Sequence, residues 1–180
     1  MDQFNGGGSG KRERTGFILA SAGAGLSKVA ELADAEAAPV DLSLESRLVA
    51  VKPLPDRPTD SALSMVLTGS MMPYAWSIND APWPTVNPPV IRSGQRVVIE
   101  MQNRTMMAHP MHLHGHAFQV IALNGRSVVG AVRDTVLVPV MGTVRVAFDA
   151  DNPGRWAFHC HNLYHMATGM MTEVVYDTFA

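Results

Sequence analysis

Seven histidines lie in two short windows: His109, His112, His114 and His116 in the first, His159, His161 and His165 in the second. The only cysteine, Cys160, falls inside the second window. Histidines kept for packing scatter along a chain, so this clustering points to a ligand set. Four residues separate Cys160 from His165, and four more separate His165 from Met170. A thiolate, two imidazoles and a thioether are the donors of a blue-copper electron-transfer centre, and His109 supplies the second imidazole. A soft thiolate with a weak thioether selects copper over magnesium or calcium. Zinc held by Cys160 and three histidines is the simpler competitor. It accounts for neither the remaining histidine pairs nor the spaced Met170.

Read as a strand, Trp156-Ala157-Phe158-His159-Cys160-His161 alternates between two faces. Trp156, Phe158 and Cys160 point inward, where the two aromatic rings keep water off the sulfur; His159 and His161 point outward. His112 and His114 share a face if extended, and His109 has the opposite parity. The outward imidazoles His112, His114, His159 and His161 are expected to converge on one exposed face and to hold further metal. Imidazole-only sites suit copper, zinc or iron.

The elements that must position these side chains are short strands. Ser64 to Thr68, Tyr74 to Ile78, Arg96 to Met101, Phe118 to Leu123, Thr135 to Val140, Thr143 to Asp149, Gly154 to His161 and Met170 to Tyr176 are the candidates. Asn79-Asp80 and Asn124-Gly125 supply turns. Thr143 to Asp149 alternates cleanly, with Val144, Val146 and Phe148 on one face. Beyond residue 40 only a turn near Leu163 reads as helical. The pattern is that of an antiparallel β-sandwich or barrel.

The 180 residues, 47% hydrophobic and 17% charged, can fill one domain's core. A net charge of −2 leaves no basic excess to neutralise phosphates, which argues against nucleic acid. One cysteine excludes an internal disulfide and any multi-cysteine metal site. No apolar run approaches the roughly 20 residues of a membrane span. The glycine run before Lys11 fails as a phosphate loop, because Arg12 stands where Ser or Thr is required. Gly16 to Leu26 reads either as the apolar part of a secretory signal ending near Ala37-Ala38 or as the last strand of a preceding domain. Charged residues follow it at once, which favours the second. Pro53 to Thr59 is a linker or strand-flanking loop, and Asn103-Arg104-Thr105 is a glycosylation sequon read as chance.

His109-Pro110-Met111-His112-Leu113-His114-Gly115-His116 and the run from His159 to Met170 resemble the two C-terminal copper motifs of the multicopper oxidases. That family includes laccases, bilirubin oxidases and bacterial copper-resistance oxidases. The resemblance implies an all-β fold, an antiparallel Greek-key β-sandwich of the cupredoxin type over residues 43–180. Residues 1–42 are then an irregular segment, the remnant of a preceding domain. It implies type 1 copper ligation by His109, Cys160, His165 and Met170, type 2 by His112, and type 3 by His114, His159 and His161. His116 matches a position that is not a ligand. Met170, where some laccases carry Leu or Phe, implies an axially ligated centre of lower potential. Arg133-Asp134-Thr135 matches a family stretch too; Asp134 either orients a ligand histidine or makes a strand-end salt link.

The implied activity is transfer of electrons from a reduced donor, cuprous ion or a phenol, to dioxygen. His159, Cys160 and His161 are its catalytic link, a short covalent route from type 1 copper to a trinuclear cluster. The family cluster uses eight histidines, and this sequence supplies four; residues 1–108 contain none. The other four are expected from an N-terminal cupredoxin domain, in cis or in trans. Twelve methionines favour a cuprous donor through their thioethers, or serve core packing. The Leu163 to Met166 run is similar to copper-resistance oxidases rather than fungal laccases. The periplasm or cell envelope is the implied compartment. A stand-alone blue-copper electron carrier and a copper-binding protein without turnover are the alternatives.

Overall fold

The computed structural model describes residues 18–35 and 41–180. The chain divides into two compact units, Met1–Val40 and Asp41–Ala180. In the first, residues 18–35 hold no helix or extended strand; Ala24 N–H donates to Ser21 O to close a turn. The glycine run before Lys11 and the Ala37-Ala38 region lie outside the described residues.

The second unit is a two-sheet sandwich. One sheet runs β2 (Tyr74–Ile78), β1 (Ser61–Met71), β4 (Arg96–Asn103), β10 (Thr143–Asp149), β6 (Phe118–Leu123), β7 (Arg126–Ser127), with β8 (Val132–Arg133) also on β6. The other runs β3 (Val90–Ile91), β12 (Met171–Tyr176), β11 (Arg155–Cys160), β5 (His109–Leu113), β9 (Thr135–Val138). A short α-helix, α1 (Leu163–Ala167), follows β11. Pairing is antiparallel except for β1 with β4 and β12 with β3, which run parallel. Alternation within a strand carries no information on the direction of its neighbour, so those two pairs were not legible in sequence.

The inner faces meet in one core. Val144, Val146 and Phe148 of β10 are fully buried, as the alternation requires. They pack with Val97 and Ile99 of β4 and with Phe118, Phe158 and Tyr176. Each such side chain contributes roughly 1.5–3 kcal/mol relative to exposure. The expected strands stand with shifted ends: Ser64 to Thr68 lengthens to Ser61–Met71, Arg96 to Met101 runs on to Asn103, Thr135 to Val140 ends at Val138, Gly154 to His161 narrows to Arg155–Cys160, and Met170 precedes rather than starts β12. The sheet that carries the histidines is the five-stranded one, with β11 between β5 and β12.

Candidate metal centre

β5 and β11 pair antiparallel, with Cys160 opposite Met111. His109 opens β5 and Cys160 closes β11, so both stand at the same end of the sheet. The chain then turns into α1, capped by the Asn162 side chain, and α1 delivers His165. Gly169 has φ +124°, a conformation open to glycine, and lets the loop fold back. Cys160 N–H donates to Met170 O at 3.1 Å, and Met170 N–H donates to His165 O at 2.9 Å.

Cys160 Sγ lies 3.7 Å from Nδ1 of His109 and 3.7 Å from Nδ1 of His165; the two nitrogens are 3.1 Å apart. The centre of such a triangle is about 2 Å from each corner, the length of a metal–imidazole bond. His109, Cys160, His165 and Met170 are all buried. His109 Nε2 sits 2.7 Å from Thr105 Oγ1. The Thr105 hydroxyl has acceptors for its own proton in Asn103 Oδ1 at 2.9 Å and Met107 O at 3.0 Å. Nε2–H of His109 therefore donates to Thr105, and its Nδ1 lone pair faces the sulfur. Burial, reinforced by His165, lowers the His109 pKa to about 3, and burial lowers that of His165 to about 4. Burial pushes the Cys160 thiol up to about 12, against a smaller pull from the Asn162 backbone N–H. Two neutral imidazoles and a thiol that needs a cation to ionise fit a soft metal ion.

Trp156 does not shield the sulfur as expected. Four residues of strand at roughly 3.3 Å each carry it about 13 Å from Cys160. There its Nε1–H donates to Asn152 O at 2.7 Å. The aromatic ring packed against the two histidines of this group is Trp76 of β2, which no local sequence pattern marks. It stacks on His165 with ring centroids 4.1 Å apart and meets His109 edge-on at 5.2 Å. No short-range pattern links residue 76 to 165. Phe158 is fully buried in the core.

The remaining imidazoles gather on the neighbouring positions. His112 and His159 are direct partners across β5 and β11. His114 Nε2 lies 3.0 Å from His159 Nε2, and ligand atoms of His112, His114 and His159 all fall within 4.8 Å. His161 stands beyond the end of β11, with its ring 5.5 Å from His112 and 5.9 Å from His159. The face is not uniformly exposed: His114 and His161 are open, His112 is half-buried and His159 is buried at 7%. Strand parity aims His159 away from the core but does not keep neighbours from covering it.

Hydrogen bonds select the free nitrogens. His112 Nδ1 lies 2.9 Å from Asp134 O and His159 Nδ1 lies 3.0 Å from Cys160 O. A carbonyl only accepts, so both Nδ1 atoms carry protons and both Nε2 lone pairs remain for a ligand. The His159 pKa is lowered, first by burial and then by its histidine neighbours, against the Cys160 carbonyl. This group fits a metal by the same test.

His116 stands outside both groups. Its Nδ1 reaches His114 O at 3.4 Å, its Nε2 lies 2.8 Å from Tyr176 Oη, and its ring stacks on that tyrosine. Arg133 pairs with Glu45 at 3.1 Å rather than with Asp134. Asp134 reaches His112 through its carbonyl and through Thr135, whose Oγ1 is 3.0 Å from Asp134 Oδ1 and 2.9 Å from His112 Nδ1. Asn103 is buried, with its amide donating to Met107 O and Pro139 O, so it is no acceptor for a glycan.

The multicopper oxidase family model matches residues 56–179. The chain is 47% identical over 114 residues to the multicopper oxidase MmcO of Mycobacterium tuberculosis, covering 63% of this chain and 22% of that one. It is 42% identical over 113 residues to copper resistance protein A of Escherichia coli, covering 62% and 18%. Among solved structures it resembles the McoA multicopper oxidase of Aquifex aeolicus, with TM-score 0.60 and 30% identity over 69% of this chain and 31% of that one. The chain thus spans about a fifth of the length of the curated relatives it matches.

Proposed function

The chain belongs to the multicopper oxidase family, and from that premise we propose that it is the domain that receives electrons for oxygen reduction. His109, Cys160, His165 and Met170 would hold one copper of type 1. His112, His114, His159 and His161 would supply half of a type 2 and type 3 cluster. Bound copper would provide the one-electron redox chemistry. The observation that carries the reading is the His159-Cys160-His161 tripeptide. Its thiol belongs to the buried group, while its flanking imidazoles stand with His112.

The chain's own residues do the rest. Thr105 and the Asp134 carbonyl hold the ring protons of His109 and His112, which leaves one nitrogen of each free. Burial of the Cys160 group excludes water from it. Peptide bonds on either side of Cys160 join the two groups covalently. The reduced donor is cuprous ion or a phenol. Met71, Met72 and Met106 are exposed, which suits a cuprous donor, whereas Met107 and Met111 belong to the core. A further cupredoxin domain, in cis or in trans, would complete the cluster with four more histidines. A role in copper tolerance is in keeping with the relatives named copper resistance protein. The periplasm or cell envelope is the proposed compartment. No helix among the described residues is long and apolar enough to cross a membrane.

The test is oxygen uptake by the purified, copper-loaded chain with a cuprous or phenolic donor, with and without a separately expressed domain carrying two His-x-His motifs. The expected result is a blue protein reduced once by the donor, with sustained uptake only when the second domain is added. Sustained uptake by the chain alone would overturn the half-cluster reading, and a colourless copper-loaded protein would overturn the Cys160 centre.

A further inference from the structure

The two imidazoles of the Cys160 group are held by different means. His109 has a 2.7 Å hydrogen bond between Nε2 and Thr105 Oγ1, which fixes its ring rotation. His165 Nε2 has only Asn162 Nδ2 at 3.4 Å, beyond good hydrogen-bond length. Its ring lies instead against Trp76, with centroids 4.1 Å apart and planes 28° apart. The same indole meets His109 at 68°. Tyr74, two residues earlier on the same face of β2, packs edge-on against Trp76 at 5.8 Å.

Trp76 is 2% exposed, and its Nε1 has no hydrogen-bond partner. Buried N–H groups are almost always bonded. This position thus carries an unpaired donor on a ring that touches both histidines. The backbone around it is fitted to that ring. A Cβ on Gly69, its partner on β1, would collide with the indole, and a Cβ on Gly169 would collide with the Trp76 carbonyl. Trp76 N–H also donates to Thr168 O at 3.4 Å, which ties β2 to the loop that carries His165 and Met170.

We propose that Trp76 is a positioning residue of the Cys160 centre: its indole face fixes the rotation of His165, so that Nδ1 faces the sulfur, and closes the site to water. The proposal rests on the copper reading for one of its two consequences only. In the metal-free protein the stacked indole orders the His165 ring. In the copper-loaded protein, exclusion of water disfavours the state of higher net charge, so Trp76 raises the preference for the reduced form.

The experiment compares wild type, Trp76→Phe and Trp76→Leu in the full chain. Metal-free NMR reads the His165 ring resonances, which the indole shifts upfield. Trp76→Phe should keep part of that shift, and Trp76→Leu should lose it. In the copper-loaded protein, Trp76→Leu should favour the oxidised form about tenfold, a fall of about 59 mV in midpoint potential for one electron. Trp76→Phe should stay within about threefold of wild type, or about 28 mV by the same constant. Should Trp76→Leu not fold, Trp76→Met fills similar volume without an aromatic face and carries the same comparison. A folded Leu or Met variant whose His165 resonances stay as far upfield as in wild type, with wild-type potential, would overturn the proposal. A wild type that stays colourless with copper would overturn the copper reading instead, and the metal-free NMR would still decide the role of Trp76.

Discussion

His112 and His159 face each other directly across β5 and β11, while Cys160, one residue further along, pairs with Met111. Adjacent residues of a strand point to opposite faces. The thiol therefore joins His109 and His165 on the buried side, and the imidazole of its neighbour joins His112 and His114. Two groups with different donors are thus held a single peptide bond apart.

Replacing Cys160 with serine tests that separation. The Cys160→Ser chain, loaded with Cu(II), is expected to lose its intense visible absorption completely, since a hydroxyl cannot replace thiolate-to-metal charge transfer. Metal binding at the His112, His114 and His159 group should persist, as read by metal analysis and by titration of a Cys160→Ser, His114→Ala double variant. Colour that survives the serine would rule out the thiol as ligand.

Thr135 shares the His112 Nδ1 proton with the Asp134 carbonyl, 2.9 Å away on each side. Its hydroxyl donates to Asp134 Oδ1 and so presents a lone pair to His112 Nδ1–H. Thr135→Val should weaken metal binding at this group by about 10–100-fold, and Thr135→Ser should restore it. Nitrogen NMR of the metal-free protein checks the cause, because His112 should carry its proton on Nδ1 in wild type and in the serine variant.

Gly169 gives the loop its return path to Met170. A Cβ there would collide with the Trp76 carbonyl and lie 2.6 Å from Pro82 Cβ, on a backbone with φ +124°. Gly169→Ala should cost roughly 1–3 kcal/mol in a urea melt. It should also perturb the visible spectrum of the copper-loaded chain. A variant as stable as wild type would show that the loop relaxes freely.

Arg96 is buried at 6% and holds Asp149 with two hydrogen bonds, Nε to Oδ1 at 2.8 Å and Nη2 to Oδ2 at 3.1 Å. These bonds, foremost among the causes, keep the Asp149 carboxyl below its ordinary pKa. At neutral pH the carboxylate is charged folded and unfolded, and its contribution is complete. As pH falls through the ordinary carboxylate value the unfolded chain takes up the proton first, so stability declines until the folded-state value is passed. Asp149→Asn should therefore cost about 1.5–3 kcal/mol near neutrality. The two proteins should converge in acid, which urea melts across the pH range would reveal. A deficit that persists in acid would assign the loss to packing rather than charge.

Much of the site is local, and local features are written in sequence. The donor types, the Cys160 to His165 to Met170 spacing and the opposite parity of Cys160 and His159 follow from residue order and the two-residue period of a strand. So do the β10 core face and most strand positions. Helix α1 needed only the Asn162 cap and the turn read near Leu163. Other parts lie far apart in the chain. Trp76 reaches His165 across 89 positions (165 minus 76), and Thr135 reaches His112 across 23. Alternation named Trp156 as the shield, yet strand rise carries it to the far end of β11, and β2 brings a different tryptophan to His109 and His165. Parity also marked His159 as outward, but only the neighbouring strands decided that it is covered. Residue order determines which atoms can bind a metal and which face each one takes. The packing of two sheets decides which rings lie beside those atoms, because contacts between sheets depend on register and strand order, and neither leaves a period in the sequence.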